Sequence, residues 1–248
     1  MYGLDKNTKF SPRVPADWKF NFQKNHFYKA DISKPGHLGR CLQKIDVVIH
    51  TAADPRMDAG WDSLFANNIL GTYHLFESAR CAGVKRVIFG SSMMVLMGYM
   101  SEQPYRSICD QSFIGARDEI RRLTHESLPR PTTPYAASKL WGETLARLYA
   151  EKNNLSGICL RIGALNSGGS GPKPGFWSSW WCGFPDLFQL VQKSIHADEK
   201  LSFDIFYGIS DNVWRWVDVD HAKKQIGYTP LPNHSANSGS ERSEYSHS

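Results

Sequence analysis

Short β-branched or aromatic runs alternate with helical patterns between residues 46 and 162, and this alternation constrains the fold more than any other feature. Residues 46–50 (DVVIH) read as a strand whose three consecutive apolar residues suit a buried parallel strand. Residues 61–82 read as a long amphipathic helix, with Leu64, Ile69, Leu70, Tyr73, Leu75 and Phe76 broadly on one side and Gly83 as the stop. Residues 85–90 (KRVIFG) form the next strand. Residues 134–153 form another helix, with Thr133 as its cap and Pro134 in its first turn. Residues 156–162 return to strand. Upstream, residues 27–30 read as a strand ending at Asp31, and residues 35–44 as a short helix. The expectation is an α/β fold with a parallel sheet.

After residue 163 the pattern loosens into a stretch rich in glycine, proline and tryptophan, which reads as a loop-rich substrate lobe. A helix (185–195), a strand (201–206) and a short helix (218–227) follow. From residue 235 the chain is polar and low in complexity, which reads as a disordered tail. The expected division is therefore a core over 1–163, a lobe with closing elements over 164–234, and a tail over 235–248.

A chain of 248 residues can bury a sizeable core without disulfides or a structural metal. No apolar run approaches the length of a membrane span, and the polar opening MYGLDKNTKF has no signal-peptide core. The net charge of +5 is spread along the chain, so a solvated surface explains it more simply than a nucleic-acid patch. The five cysteines are scattered without zinc-type spacing, and reduced thiols in the cytoplasm account for them. The nine histidines show no ligand spacing, so no metal is expected. His50, at a strand end, reads as structural.

Tyr135-Ala-Ala-Ser-Lys139 carries the sharpest chemical signal. An i,i+4 spacing puts phenol and ammonium on one helix face. A nearby cation favours the phenolate, so such a tyrosine can take a proton from an alcohol while hydride leaves the carbon. Alone the pair is weak, common by chance, and reads more simply as two surface residues on a helix. Its context adds weight: a buried strand ends in Gly90-Ser91-Ser92, and a serine there faces the crevice where parallel α/β sheets bind ligands. The Ser92 hydroxyl can donate to the substrate oxygen as charge develops on it.

With these residues in order, the chain resembles the extended short-chain dehydrogenase/reductases, in the NAD-dependent epimerase/dehydratase group. ADIS (30–33), VVIHTAADP (47–55), NNILGTYHLFESA (67–79), RVIFGSS (86–92), PYAASKLWGE (134–143), LRIG (160–163) and IGYTP (226–230) carry the resemblance in family order. Within the group the chain is most similar to uronate dehydrogenases and archaeal NAD-dependent glucose-6-phosphate dehydrogenases, through DPRMDAGWDSLFANNILGT, LPRPTTPYAASKLWGETLARLY, LRIGALN and FYGISDN. The resemblance implies a Rossmann-type sheet, NAD as cofactor and a catalytic set of Ser92, Tyr135 and Lys139, with Tyr135 and Lys139 also holding the nicotinamide ribose. It puts Asp31 and Ile32 beside the adenine, and Thr51, Ala52 and Ala53 along the cofactor backbone. Asn68 falls in a supporting polar network, and Arg161 and Ile162 at the nicotinamide side. It further implies a sugar-type substrate and a homodimer built on helices 61–82 and 134–153.

The departures are as informative. The family opens with a strand and a phosphate-cradling G-x-x-G-x-x-G turn, and neither is present here. Tyr2-Gly3-Leu4-Asp5 instead resembles the end of the family's second strand, which makes Asp5 the candidate acceptor for the ribose hydroxyls and the selector of NAD. Met1 then falls about 25 residues past the usual opening, judged by the size of a βα unit. In the strand order 3-2-1-4-5-6, losing strand one leaves two unpaired edges mid-sheet and removes the helix N-terminus that meets the pyrophosphate. The expectation is that the chain as written binds NAD poorly or is unstable alone. A start assigned too late and a real truncation with lost activity both fit.

Met93 and Met94 stand where dehydratases of the group carry an acidic pair, and methionines cannot do acid-base work, so dehydration is disfavoured. The long segment between Ser92 and Tyr135 holds Arg106, Arg117, Arg121 and Arg122, which could meet an anionic substrate or simply form a solvated basic face. Lys173 is the nearest cation to the position of a carboxylate-gripping arginine. Trp177, Trp180 and Trp181 suit apolar packing more than sugar stacking. Three functions are consistent with these residues: NAD-dependent oxidation of a sugar, sugar acid or sugar phosphate; nucleotide-sugar epimerisation with transient NAD reduction; and a non-catalytic nucleotide-sensing or partner-binding remnant of the fold.

Overall fold

The computed structural model describes residues 1–8, 23, 25–34, 36–110, 112, 120–165 and 176–232. Arg117, Lys173 and the tail over 235–248 lie outside the described residues.

Among the described residues six parallel strands form two sheets. β1 (Gly3–Asp5) pairs with β2 (Phe27–Lys29). β3 (Val47–His50), β4 (Arg86–Ser92), β5 (Ser156–Ile162) and β6 (Phe203–Gly208) form the second sheet in that order. Inward-facing residues alternate along the central strands. Val87, Phe89 and Cys159 join a core with α2 (Gly71–Ala82) and α4 (Pro134–Asn153). Ile88, Ile158 and Leu160 join one with α5 (Phe184–Ile195) and α6 (Asp220–Ile226). With both faces covered, all seven residues of β4 are buried, as a central parallel strand requires. Gly142 permits the close approach of α4, because a Cβ there would overlap the Phe89 ring.

No backbone pairing joins β1 to β3, so the break falls between the two strands that the family's first strand would separate. Side chains bridge it. Leu4, Ile32, Leu38 and Val48 share the core with Phe76, and His74 Nδ1 lies 3.0 Å from the Ile32 carbonyl oxygen. The break corrects the reading of DVVIH as a buried strand. Among the described residues β3 has β4 as its one strand partner, and Ile49 is 43% exposed.

Two further expectations change. Residues 36–44 form successive turns, not a helix: Gly36 and Lys44 both take positive φ (82° and 63°), and Gly39 interrupts the segment. The 61–82 helix is continuous but not uniform. α1 (Trp61–Leu64) passes through a π-helical segment, Phe65–Leu70, before α2 begins. Gly83, at φ 75°, ends α2 as expected. Thr133 caps α4, its Oγ1 accepting from the Ala136 amide at 3.1 Å.

The segment after β4 coils into a 3₁₀ helix, Met93–Ser101, then α3 (Tyr105–Cys109). It packs with Trp180, Tyr207 and Trp216 in a third core beyond the strand ends. Leu123 bridges to Val217, fastening the segment to the C-terminal elements. All five cysteines are free. Among the described residues no helix is long and apolar enough to cross a membrane.

Candidate active site

β4 and α4 build the centre. Ser92 ends β4 opposite Ile162, and its Oγ accepts the Met94 amide at 3.2 Å, which starts the 3₁₀ helix. Tyr135 occupies the first turn of α4, buried to 9% exposure, within hydrogen-bonding reach of Ser92. Lys139, one turn on, is 5% exposed. Its Nζ donates to the Gly90 carbonyl at 2.8 Å and stands 5.8 Å from the Tyr135 ring centroid. The three residues therefore meet at the C-terminal end of the sheet.

The electrostatics differ from the simple cation argument. Burial pushes the Tyr135 phenol up, and the hydrogen bond from Ser92 only partly offsets it. Burial likewise brings Lys139 down to about 8. The ammonium is turned to a carbonyl, so in this state desolvation outweighs any help that the lysine gives the phenol. His50 packs against the Phe89 ring, with centroids 5.6 Å apart. It is buried, lies 3.2 Å from Thr72 Oγ1 through Nε2, and is held neutral at about 3 by burial and then by the Lys139 charge.

Asn68 supports the centre from the π-helical segment. Its Oδ1 accepts the Asp54 amide at 2.7 Å, and its Nδ2 donates to the Asp54 carbonyl (3.1 Å) and to Ser138 Oγ (2.9 Å). Ser138 Oγ in turn donates to the Tyr135 carbonyl at 2.7 Å. Asn68 is the buried residue of the π-helical segment, and π-bulges recur at functional sites.

Five of the predicted cofactor residues, Asp5, Asp31, Ile32, Ala52 and Ala53, line one cavity of about 140 Å³ beside the sheet break. Lys6 Nζ spans its wall to Asn67 Oδ1 at 3.2 Å. Asp31 Oδ1 accepts the Ser33 amide (2.9 Å) and hydroxyl (2.8 Å); burial raises this carboxyl, but those bonds win and hold it below its ordinary value. Thr51 is not a wall of that cavity and instead lies against Gly90. Ile162 closes β5, level with Ser92 and Gly208.

Sequence reasoning missed Glu143. Its carboxylate takes Arg161 Nε at 2.9 Å and Nη2 at 2.8 Å, and the Ser91 hydroxyl at 2.6 Å. Arg161 Nη1 reaches the Tyr207 hydroxyl at 3.3 Å, and that hydroxyl donates to the Thr124 carbonyl. Arg161 is thus committed to a buried network beneath the centre. The signal was the spacing, because Glu143 is one turn beyond Lys139 on the same face of α4.

Met93 and Met94 are buried and offer no acid-base group. Arg106 is exposed and paired with Asp110 at 3.9 Å. Trp180 and Trp181 are buried, and Trp177 stacks on Trp180 with centroids 5.2 Å apart, which is packing. Although the histidines show no ligand spacing, the fold groups His125 and His221 with Asp204, away from the centre.

A serine–tyrosine–lysine set at the strand ends of a parallel α/β sheet, beside an acid-lined cavity, defines the class of the short-chain dehydrogenase/reductases with a Rossmann-type fold. The particular family follows from comparison. The chain belongs to the NAD dependent epimerase/dehydratase family, whose model matches residues 2–176. It is similar to the NAD-dependent glucose-6-phosphate dehydrogenase of Haloferax volcanii, 34% identical over 230 residues that cover 93% of this chain and 83% of the relative. It is also similar to the uronate dehydrogenase of Pseudomonas syringae, 28% identical, covering 81% of this chain and 64% of that one. Among solved structures, a mutated uronate dehydrogenase superposes with a TM-score of 0.70 at 27% identity, covering 89% of this chain and 71% of that one.

Proposed function

We propose that this chain oxidises a hydroxyl of a sugar, sugar acid or sugar phosphate with NAD. The meeting of Ser92, Tyr135 and Lys139 at the end of β4 carries this reading. The names of the relatives above support it.

The residues present fit two ends of the cofactor. Asp5 offers a carboxylate to ribose hydroxyls, Asp31 and Ile32 suit the adenine, Ala52 and Ala53 leave room for the cofactor backbone, and Tyr135 and Lys139 suit the nicotinamide ribose. For the pyrophosphate the described residues hold no glycine-rich turn. Bound NAD supplies the hydride acceptor. Tyr135 takes the proton of the substrate hydroxyl. Ser92 donates to the same oxygen and fixes its distance from the phenol. Lys139 stabilises the phenolate once it swings from the Gly90 carbonyl. Asn68 holds the first turn of α4 through Ser138. The hydroxyl oxygen gives its proton to Tyr135 and the carbinol carbon gives up a hydride, for which NAD would be the acceptor, so that the C–OH becomes a carbonyl.

The homodimer belongs to the same proposal. Trp61, Phe65, Tyr73, Trp141 and Leu148 expose apolar surface on α1, the π segment, α2 and α4, the helices that would pair. A cytoplasmic location agrees with the five free cysteines.

A non-catalytic role is favoured by one observation, the sheet break beside the cofactor cavity. Stoichiometry separates the readings. Incubation with NAD and a panel of aldoses, uronates and sugar phosphates should release one NADH per sugar oxidised. An isomerised sugar without net NADH would instead identify an epimerase. Failure to bind NAD at all would favour the non-catalytic role.

A further inference from the structure

His125, Asp204 and His221 come from three separate segments, the strap after the Leu123–Val217 bridge, β6 and α6. The two imidazole rings stack with centroids 3.6 Å apart and planes 11° apart. His221 Nε2 lies 2.8 Å from Asp204 Oδ1, the oxygen that also accepts the Ile205 amide at 2.7 Å. His125 Nδ1 is buried with no hydrogen-bond partner. One ligand atom from each residue can be chosen so that all three lie within 4.8 Å of one another. All three residues line a cavity of about 690 Å³, whose α4 wall includes Glu143, Thr144 and Arg147.

We propose that His125, Asp204 and His221 form a binding site for a divalent cation of the zinc type, with cavity water completing its coordination. Two imidazoles and a carboxylate are a donor set for borderline transition cations, not for magnesium or calcium. Tetrahedral zinc with bonds of about 2.0–2.1 Å sets its ligand atoms about 3.4 Å apart. The widest pair therefore has to close by little more than an ångström, while His221 Nε2 and Asp204 Oδ1, at 2.8 Å, open slightly and the stacked rings turn to face one ion. A cation would also satisfy the donor position that the protein leaves without a partner. The neighbouring positive charges are already committed: Arg161 to Glu143, and Arg147 to Glu151 at 3.4 Å and to the Phe203 ring face at 4.8 Å.

This site is distinct from the Ser92–Tyr135–Lys139 centre. Asp204 pairs with Ile158, four residues before Ile162, the β5 residue level with Ser92. At about 3.3 Å per residue that is roughly 13 Å toward the opposite end of the sheet. Bound there, the cation acts as a staple. It ties the strap that follows Leu123 to β6 and α6, the elements that close the C-terminal side of the sheet.

The test is calorimetric titration of the full, chelator-stripped chain with Zn²⁺. The expected result is one saturable site, weakened at least tenfold in His125→Ala and in Asp204→Asn and unchanged in His196→Ala. Zn²⁺ should raise the melting temperature of the unmodified chain and of His196→Ala, but not of His125→Ala. Because a variant can fail to fold, the unmodified chain gives a second reading: in long-range ¹H–¹⁵N spectra, two histidine rings should shift on Zn²⁺ addition. Absence of saturable binding would overturn the proposal. So would unchanged affinity in the His125 and Asp204 variants, or a Co²⁺-loaded spectrum dominated by thiolate charge transfer, which would place the ion on cysteines.

Discussion

Glu143 and Arg161 are joined by two parallel hydrogen bonds, 2.9 and 2.8 Å long, with side chains 3% and 1% exposed. The pair crosses from α4 to β5, and the Ser91 hydroxyl adds β4 to it. Breaking one side leaves a buried charge without its partner. Glu143→Ala is therefore expected to lose about 3–5 kcal/mol of stability in denaturant titration. Replacing both partners at once, Glu143→Met with Arg161→Met, should recover much of that loss. A double variant as unstable as Glu143→Ala would show that packing, not the stranded guanidinium, sets the cost.

Asn68 contributes differently, through placement. Asn68→Ala removes an acceptor from the Asp54 amide and a donor from Ser138. A stability loss of about 1–3 kcal/mol is expected from the groups left unpaired. Because Ser138 is tied to the Tyr135 carbonyl, kcat should fall while the sugar KM moves little. A change in KM alone would assign Asn68 to substrate binding instead.

Asp5 is proposed to accept the ribose hydroxyls of NAD. A hydrogen bond to a charged group contributes about 1.5–3 kcal/mol. Asp5→Ala should therefore raise the NAD dissociation constant by roughly 10- to 100-fold and narrow the preference over NADP. Calorimetry with both dinucleotides checks this, and an unchanged NAD affinity would remove Asp5 from the site.

The buried Lys139 gives the cofactor-free chain a pH-dependent stability. Its amine falls from an ordinary 10.5 to about 8 in the fold. Between these values the unfolded chain binds more protons than the native one, so stability rises with pH. Below about 8 the full cost of burying the ammonium is present, and it is relieved as pH climbs. The gain approaches about 3 kcal/mol across the window. Lys139→Met should lack that rise when both proteins are unfolded by urea at pH 8 to 10. Parallel profiles for the two proteins would place the ammonium in a more solvated setting.

Much of this architecture was legible in the sequence because α/β patterning is local. The helix over Pro134–Asn153 and the strand over Ser156–Ile162 begin and end where periodicity and caps put them. The family, the Rossmann-type sheet and the NAD dependence also follow from motifs in order along the chain. What sequence alone could not show depends on partners distant in the chain. Residues 36–44 looked helical by composition, but positive φ at Gly36 and Lys44 bends them into turns. DVVIH looked buried, yet a strand is buried only when neighbours flank it, and β3 has one. The Tyr135–Lys139 spacing was clear, whereas the carbonyl that holds Lys139 lies on β4, 49 residues upstream of it in the chain. Glu143 shares a helix face with Lys139, but the partners that make it a network centre, Ser91 and Arg161, lie on β4 and β5.

The most direct test of the central claim compares the unmodified chain with Tyr135→Phe, using the sugar that gives the fastest NADH formation. Removing the general base should lower kcat by about 100- to 10,000-fold. NAD affinity should fall by no more than about tenfold, the loss of one hydrogen bond to the nicotinamide ribose. Oxidation by Tyr135→Phe at the unmodified rate would contradict the assignment of Tyr135 as the base, and with it the proposed reaction.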